Sequence, residues 1–152
     1  MTLVSLGFYF NFIQITKTVG RQFKKNNMFK KLFGSSEPKE KKVLPWQPLS
    51  DVSQLSTIAS KSNTKTQFIF KHSTRCGISS MVMKQFVSAY DLEMNADLYY
   101  LDLLSYRDVS NEVGYKFQVM HQSPQLLVIK NGVAVAHASH GGINEIDLER
   151  FL

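Results

Sequence analysis

Residues 125–138 read QLLVIK, then Asn131-Gly132, then VAVAHA. Two short apolar runs separated by Asn-Gly are the strongest local signal for a β-hairpin. Both residues of such a two-residue turn need positive φ, which Asn and Gly tolerate best. An antiparallel pair is therefore expected near the end of the chain, and the other elements have to be arranged around it.

Upstream of the hairpin, helical and strand patterns alternate. Ser50 and Asp51 supply cap-type side chains, and Asp51 with Gln54 has capping-box spacing. Val52, Leu55, Ile58 and Ala59 follow at helical period, which predicts a helix to about Ser60. The polar run KSNTKT ends it, and Gln67–Lys71 reads as a short strand. A helix is predicted from about Gly77 to Tyr90, with Ile78, Val82, Phe86 and Ala89 on one face. Leu98–Leu104 is a second apolar strand. Ser105 with Asp108 repeats the capping-box spacing before a helix carried by Val109, Val113 and Phe117. A last helix is expected from about Asn144 to the end. The order α-β-α-β-α-β-β-α implies an α/β domain with a central mixed four-stranded sheet, flanked by helices on both faces.

Charge bears on function only once it is located. The chain carries a net charge of +6. Residues 1–41 hold eight Lys/Arg against Glu37 and Glu40, whereas residues 42–152 hold ten basic and ten acidic residues. The folded part is neutral, so a nucleic-acid domain, which needs its own basic face, is not expected.

The first segment divides further. Leu3–Ile15 is apolar but shorter than the roughly 20 residues that a membrane span requires. No basic residue precedes it and no small-residue cleavage site follows it, which argues against a signal peptide. Met28 opens MFKKLFGSSEPKEKK, which has the look of a natural start. The expectation is therefore a leader over residues 1–27, either upstream of a mis-assigned start or a weak anchor ahead of RQFKK. A basic segment and linker over 28–44 and a domain over 45–152 follow.

Cys76 is the only cysteine. This excludes an intramolecular disulfide framework and a zinc site made of several cysteines, and it fits a reducing compartment such as the cytoplasm. The residue falls between a strand end and a helix start, where first-turn N–H groups lack partners and favour a thiolate over a thiol. Arg75 adds positive charge, Gly77 leaves space for a bulky disulfide, and Thr74 can cap the helix or bond to an incoming group. A free cysteine also packs well as a buried structural residue. The Thr, Arg and Gly flanks at an element junction favour the reactive reading. Ser79 stands where a resolving cysteine would lie in a C-x-x-C motif, so a mixed disulfide formed at Cys76 needs an external thiol for release. The same Ser79 also reads as an ordinary first-turn serine bonding to backbone. Ser123-Pro124 precedes the next strand. A cis bond there would turn the chain sharply and offer the Ser123 backbone as an edge for an extended substrate. His72, His121, His137 and His140 have no compact ligand spacing, and no metal site is expected. Asp102 is expected to be a surface or edge carboxylate rather than a proton relay.

Taken together, HSTRCGISS, HQSPQ, IKNG and HASH, in this element order, resemble the thioredoxin superfamily. Within it they resemble the monothiol bacilliredoxins of the bacillithiol system, the YtxJ-type family. The resemblance covers about residues 45–152. It implies a cytoplasmic thioredoxin-like thiol-disulfide oxidoreductase that removes bacillithiol from S-bacillithiolated client proteins. Cys76 would be its nucleophile and Pro124 its cis-proline, with Thr74, Arg75, Gly77 and Ser123 lining the substrate groove. Bacillithiol would be a co-substrate rather than a bound cofactor, and an external thiol reductant would complete the cycle. Two alternatives stand beside this. Cys-Gly-Ile-Ser differs by one residue from the Cys-Gly-Phe-Ser of monothiol glutaredoxins, and Gly141-Gly142 falls where those proteins place a glycine pair. That resemblance implies an iron–sulfur cluster carrier, although Ser123-Pro124-Gln125 departs from their Thr-Val-Pro. The third reading is a non-enzymatic thiol sensor capped under oxidative stress.

Overall fold

A computed structural model describes residues 42–152 of the chain. The expectations for residues 1–27, and for 28–44 up to residue 41, lie outside the described residues. Five strands form one sheet: β1 (Trp46–Pro48), β2 (Thr66–His72), β3 (Ala96–Asp102), β4 (Gln125–Lys130) and β5 (Val133–Ser139). Their spatial order is β1-β3-β2-β4-β5, with β1 and β2 parallel to β3 and the pairs β2/β4 and β4/β5 antiparallel. The expected mixed sheet is therefore present with five strands instead of four. The additional strand, β1, is three residues long and ends in proline, so it has no alternation to read and can serve only at an edge.

The hairpin forms as its turn residues require, with Asn131 at φ 53° and Gly132 at φ 79°. Ser62, just past the first helix, holds the turn: its carbonyl accepts the Asn131 N–H at 2.9 Å and its Oγ accepts the Gly132 N–H at 2.7 Å.

Three α-helices connect the strands: α1 (Gln54–Lys61), α2 (Gly77–Ala89) and α3 (Arg107–Lys116). Half of the first expected capping box is present, because Gln54 Oε1 accepts the Asp51 N–H at 2.9 Å. The Asp51 carboxylate instead accepts the Ser53 N–H at 2.7 Å, and Val52 is left exposed ahead of the helix. The second box does not form. Ser105 donates to Asp102 Oδ2 at 2.8 Å, and α3 begins after Tyr106 without a side-chain cap. The last expected helix is two 3-10 turns, His140–Glu145 and Leu148–Phe151. Gly141-Gly142 at the entry favours a tighter, less regular turn over an α-helix.

Strand alternation distributes the apolar residues to two cores. Phe68, Phe70, Leu98, Leu126 and Val128 face α2 and the C-terminal turns, packing on Val82, Phe86, Ile143 and Leu148. Ile69, Tyr99, Leu101, Leu127 and Ile129 face the other way, onto Leu55 and Ile58 of α1 and Val109 and Val113 of α3. Burying one such side chain stabilises by about 1.5–3 kcal/mol. Tilted aromatic contacts tie the first core together, with Phe86 centred 5.1 Å from Phe70 and 6.0 Å from Trp46. Among the described residues no helix is long and apolar enough to cross a membrane.

A candidate active site at one end of the sheet

Strand register brings the candidate residues to one end of the sheet. His72 pairs with Asp102, Lys71 with Gln125, and Gln125 with Ser139. The loops that leave or enter at these positions carry Ser73–Cys76, Leu103–Tyr106, Ser123-Pro124 and His140–Gly142, so they cluster together. Loops at the carboxyl ends of parallel strands are where open α/β sheets bind ligands.

Cys76 is itself the N-cap of α2, in extended conformation (φ −104°, ψ 120°), and is half-buried. Its side chain makes no capping hydrogen bond, and the first turn of α2 holds no acidic residue. The sulfur therefore stands at the positive end of the helix dipole with no hydrogen bond to the helix end. The capping role expected of Thr74 is not realised, because Cys76, two residues on, is the N-cap. Thr74 and Arg75 are exposed beside the cysteine, and a Cβ built at Gly77 would meet open space. Ile78, expected to be inward, is 55% exposed, and Ser79 takes the inward position with Val82 and Phe86.

The Ser123-Pro124 peptide bond is cis, Pro124 is buried, and the Ser123 Oγ is buried without a hydrogen-bond partner among the described residues. Gln125 braces this loop: its Nε2 donates to the Met120 carbonyl at 2.8 Å, and its Oε1 accepts the Gln122 N–H at 3.3 Å. The His140 N–H donates to the Pro124 carbonyl at 3.1 Å, bringing Gly141 and Gly142 beside the proline strand.

Two buried polar groups escaped the sequence reading. Lys71, fully buried, donates from Nζ to the Ser110 carbonyl at 3.2 Å and lies 3.0 Å from His121 Nδ1. Burial, reinforced by Arg107, pushes its pKa down to about 8. His121 is held below the usual imidazole value by burial and by the Lys71 and Arg107 charges. On the opposite face, His72 Nδ1 lies 2.6 Å from Ser79 Oγ, which also accepts the Ser73 N–H at 3.0 Å. Burial lowers the His72 pKa against the opposing pull of Asp102. Asp102 caps the turn into α3, accepting the Leu104 N–H at 3.1 Å and the Ser105 hydroxyl. Burial pushes its carboxyl up, but those bonds and the His72 ring outweigh it and hold it below the ordinary value. No sequence signal marks these pairs, since each is made by residues from separate elements or opposite sides of a loop.

A single cysteine at a helix N-cap after a sheet strand, with a cis-proline strand at the same end, defines a thioredoxin-fold thiol-disulfide oxidoreductase. Residues 47–148 match the family described as monothiol bacilliredoxin BrxC, and the chain belongs to that family. Among solved structures, one described as "a putative oxidoreductase with a thioredoxin fold" is 33% identical, with a TM-score of 0.60, covering 70% of this chain and 92% of the other. Thioredoxin from Trypanosoma brucei brucei shares the fold at 16% identity and TM-score 0.53, covering 76% of this chain and 92% of that one. Malassezia sympodialis thioredoxin (Mala s 13) does so at 20% identity and TM-score 0.52, over 64% and 81%.

Proposed function

We propose that the protein removes bacillithiol from S-bacillithiolated proteins in the cytoplasm, with Cys76 as the nucleophile. The Cys76 thiolate attacks the bacillithiol sulfur of the mixed disulfide. The client sulfur leaves as a thiolate and takes a proton from solvent, and Cys76 is left bound to bacillithiol. A second thiolate, from free bacillithiol or a dithiol reductant, then attacks that disulfide and returns the Cys76 thiolate, so electrons balance across the cycle. Thr74, Arg75, Gly77, Ser123 and Pro124 form the substrate groove. Arg75 and the N-terminus of α2 take the carboxylates of bacillithiol, and the Ser123 backbone receives an extended client segment.

The observation that carries this reading is the N-cap position of Cys76, whose side chain is unused by the helix, with serine at position 79. Such a site can accept a mixed disulfide and has no internal thiol to resolve it. Intact mass tests it, on the reduced full chain and Cys76→Ser mixed with an S-bacillithiolated model protein. Transfer of one bacillithiol to the wild type alone, with release of the client thiol, is expected. No transfer from protein whose Cys76 still alkylates would overturn the reading. An absorbance spectrum of anaerobically purified protein would then separate a cluster carrier from a thiol sensor.

A further inference from the structure

An open groove of about 440 Å³ runs between α3 and the segment that leads to Pro124. Asn111, Gly114, Tyr115, Met120 and His121 line it. Tyr115 is 75% exposed and Met120 83%, so its rim is apolar and faces solvent. Arg107 stands four residues before Asn111 and seven before Gly114, which puts it on the same face of α3. α3 starts at the end of the sheet where the Cys76 loop lies, and residues 118–121 run back toward that end. Arg107 and His121 therefore mark the end of the groove nearest Ser123 and Pro124.

That end is basic. Arg107 is exposed, and its charge acts on both Lys71 and His121. Lys71 is fully buried behind the ring, with Nζ 3.0 Å from His121 Nδ1 and donating to the Ser110 carbonyl at 3.2 Å. Ser110 Oγ lies 3.3 Å from the same ring nitrogen, so α3 and β2 together hold His121 at the groove. Among the described residues, none of these three basic groups forms an ion pair. Asp108, next in sequence, lies about 100° around the helix from Arg107. A buried ammonium is ordinarily matched by a negative group. Here the groove, with its exposed guanidinium and exposed ring, is the side on which such a group can be met from outside.

We infer that the Arg107–His121 end of this groove takes a carboxylate side chain of the client protein, with an apolar flank of the client on Tyr115 and Met120. Acidic client segments are thereby preferred. This deepens the proposed function and rests on the reading of Cys76 as nucleophile. Continuity with the substrate groove makes the client the occupant. His121 is two residues, about 7 Å of extended chain, before Ser123, whose backbone receives the client segment. The test uses the full-length wild type and Arg107→Glu with S-bacillithiolated peptides. Each peptide has one cysteine and carries Glu, Gln or Lys at one of the three positions on either side of it. At low ionic strength, the wild type is expected to take bacillithiol from the best-placed Glu peptide about fivefold faster than from its Gln counterpart, and most slowly from Lys. Added salt shrinks that preference. Arg107→Glu reverses the order, which loss of a merely structural residue would not do. Rates equal within about 1.5-fold at every position overturn the inference, as does a preference that Arg107→Glu leaves unchanged. So does a rate indifferent to peptide charge that Arg107→Glu lowers for a bacillithiol cap but not for a cysteamine cap, since the carboxylates recognised would then be those of bacillithiol. If Arg107→Glu does not fold, the peptide series and its salt dependence in the wild type decide. A wild type that alkylates at Cys76 but transfers nothing overturns the nucleophile reading instead. Fluorescence anisotropy of the unmodified peptides on Cys76→Ser then decides this inference by the same charge order.

Discussion

Lys71 and His72 are consecutive on β2, both are buried, and they serve opposite faces of the sheet. His72 reaches α2 and, through Ser79, the loop that ends at Cys76. Lys71 reaches α3 at Ser110 and, through His121, the segment that runs to Pro124. One step along a strand exchanges faces, so two neighbouring titratable residues come to serve different parts of one site. Their energetics differ as well. Burial favours the neutral form of His72, and a hydroxyl satisfies its ring nitrogen. Lys71 is buried with no carboxylate partner among the described residues, and Arg107 adds repulsion. On the proposed function the α2 side carries the chemistry, and the α3 side carries a stability cost.

The largest effect that can break this division is on activity. Cys76→Ser is expected to reduce bacillithiol transfer to the uncatalysed background and to leave the thermal midpoint nearly unchanged, because the sulfur is half-buried and caps nothing. Transfer assays paired with thermal denaturation check it, and residual turnover would move the chemistry away from the α2 end. Next comes Lys71→Met, which removes the buried charge and keeps the buried stem. It is expected to stabilise the fold by about 1–3 kcal/mol near neutral pH, while transfer stays within about threefold of wild type. The gain has a pH signature. Native Lys71 loses its proton at about 8, whereas in the unfolded chain it does so at about 10.4. Between those values the unfolded state binds more protons, so the wild type gains stability as pH rises and the advantage of Lys71→Met shrinks. Urea midpoints of the two proteins across that range test the sign.

How much of this was legible in the sequence follows the same division. The hairpin, the helices on Leu55, Val82, Phe86 and Val113, and the junction position of Cys76 were readable, because each is a local pattern of period or turn chemistry. β1 was not, since three residues ending in proline form a strand only when β3 is beside them. Ile78 is apolar and in phase with the inward face of the helix, so periodicity places it inward. The structure turns it outward because Ser79 is held by partners on both sides of the loop, a preference no periodicity contains. Lys71 read as an ordinary strand end for the same reason. Buried polar pairs are decided by tertiary contacts, and the sequence shows only one partner at a time.

Acid separates the two networks from the rest of the fold. His72 and His121 are both held below the ordinary imidazole value, His72 by burial and His121, an exposed residue, by partial desolvation of its ring together with the Lys71 and Arg107 charges. In the unfolded chain each takes a proton near about pH 6.5. Stability is therefore fully present above that pH, and it falls as pH drops below it toward the native values. His121 has the Lys71 and Arg107 charges against it, whereas Asp102 supports a charged His72. His121→Asn is accordingly expected to flatten the acid limb more than His72→Asn does. Urea midpoints taken from about pH 7.5 to about pH 5 compare them, and equal flattening would remove the electrostatic distinction between the faces.

The smallest expected effect lies at the other end of the sheet. Asp97 Oδ1 accepts from Lys65 Nζ at 2.7 Å, and Lys61 stands 3.8 Å from Oδ2. Burial pushes the Asp97 carboxyl up, but the bonds from Lys65 and Gln67 and the two lysine charges outweigh it and hold it below the ordinary value. A depressed carboxylate contributes stability above its unfolded pKa of about 3.9 and loses it as pH falls through the native value. Both lysines are more than a third exposed, so solvent screens the pair, and a Lys65→Met/Asp97→Asn double-mutant cycle is expected to yield about 0.2–1 kcal/mol. Bacillithiol transfer should not respond at all, because this cluster lies at the start of β2 and β3 while the cysteine lies beyond their ends. A coupling well above that range, or any change in transfer, would mean that the two ends of β2 are not independent, and the separation of chemistry from support would have to be redrawn along the strand rather than across the sheet.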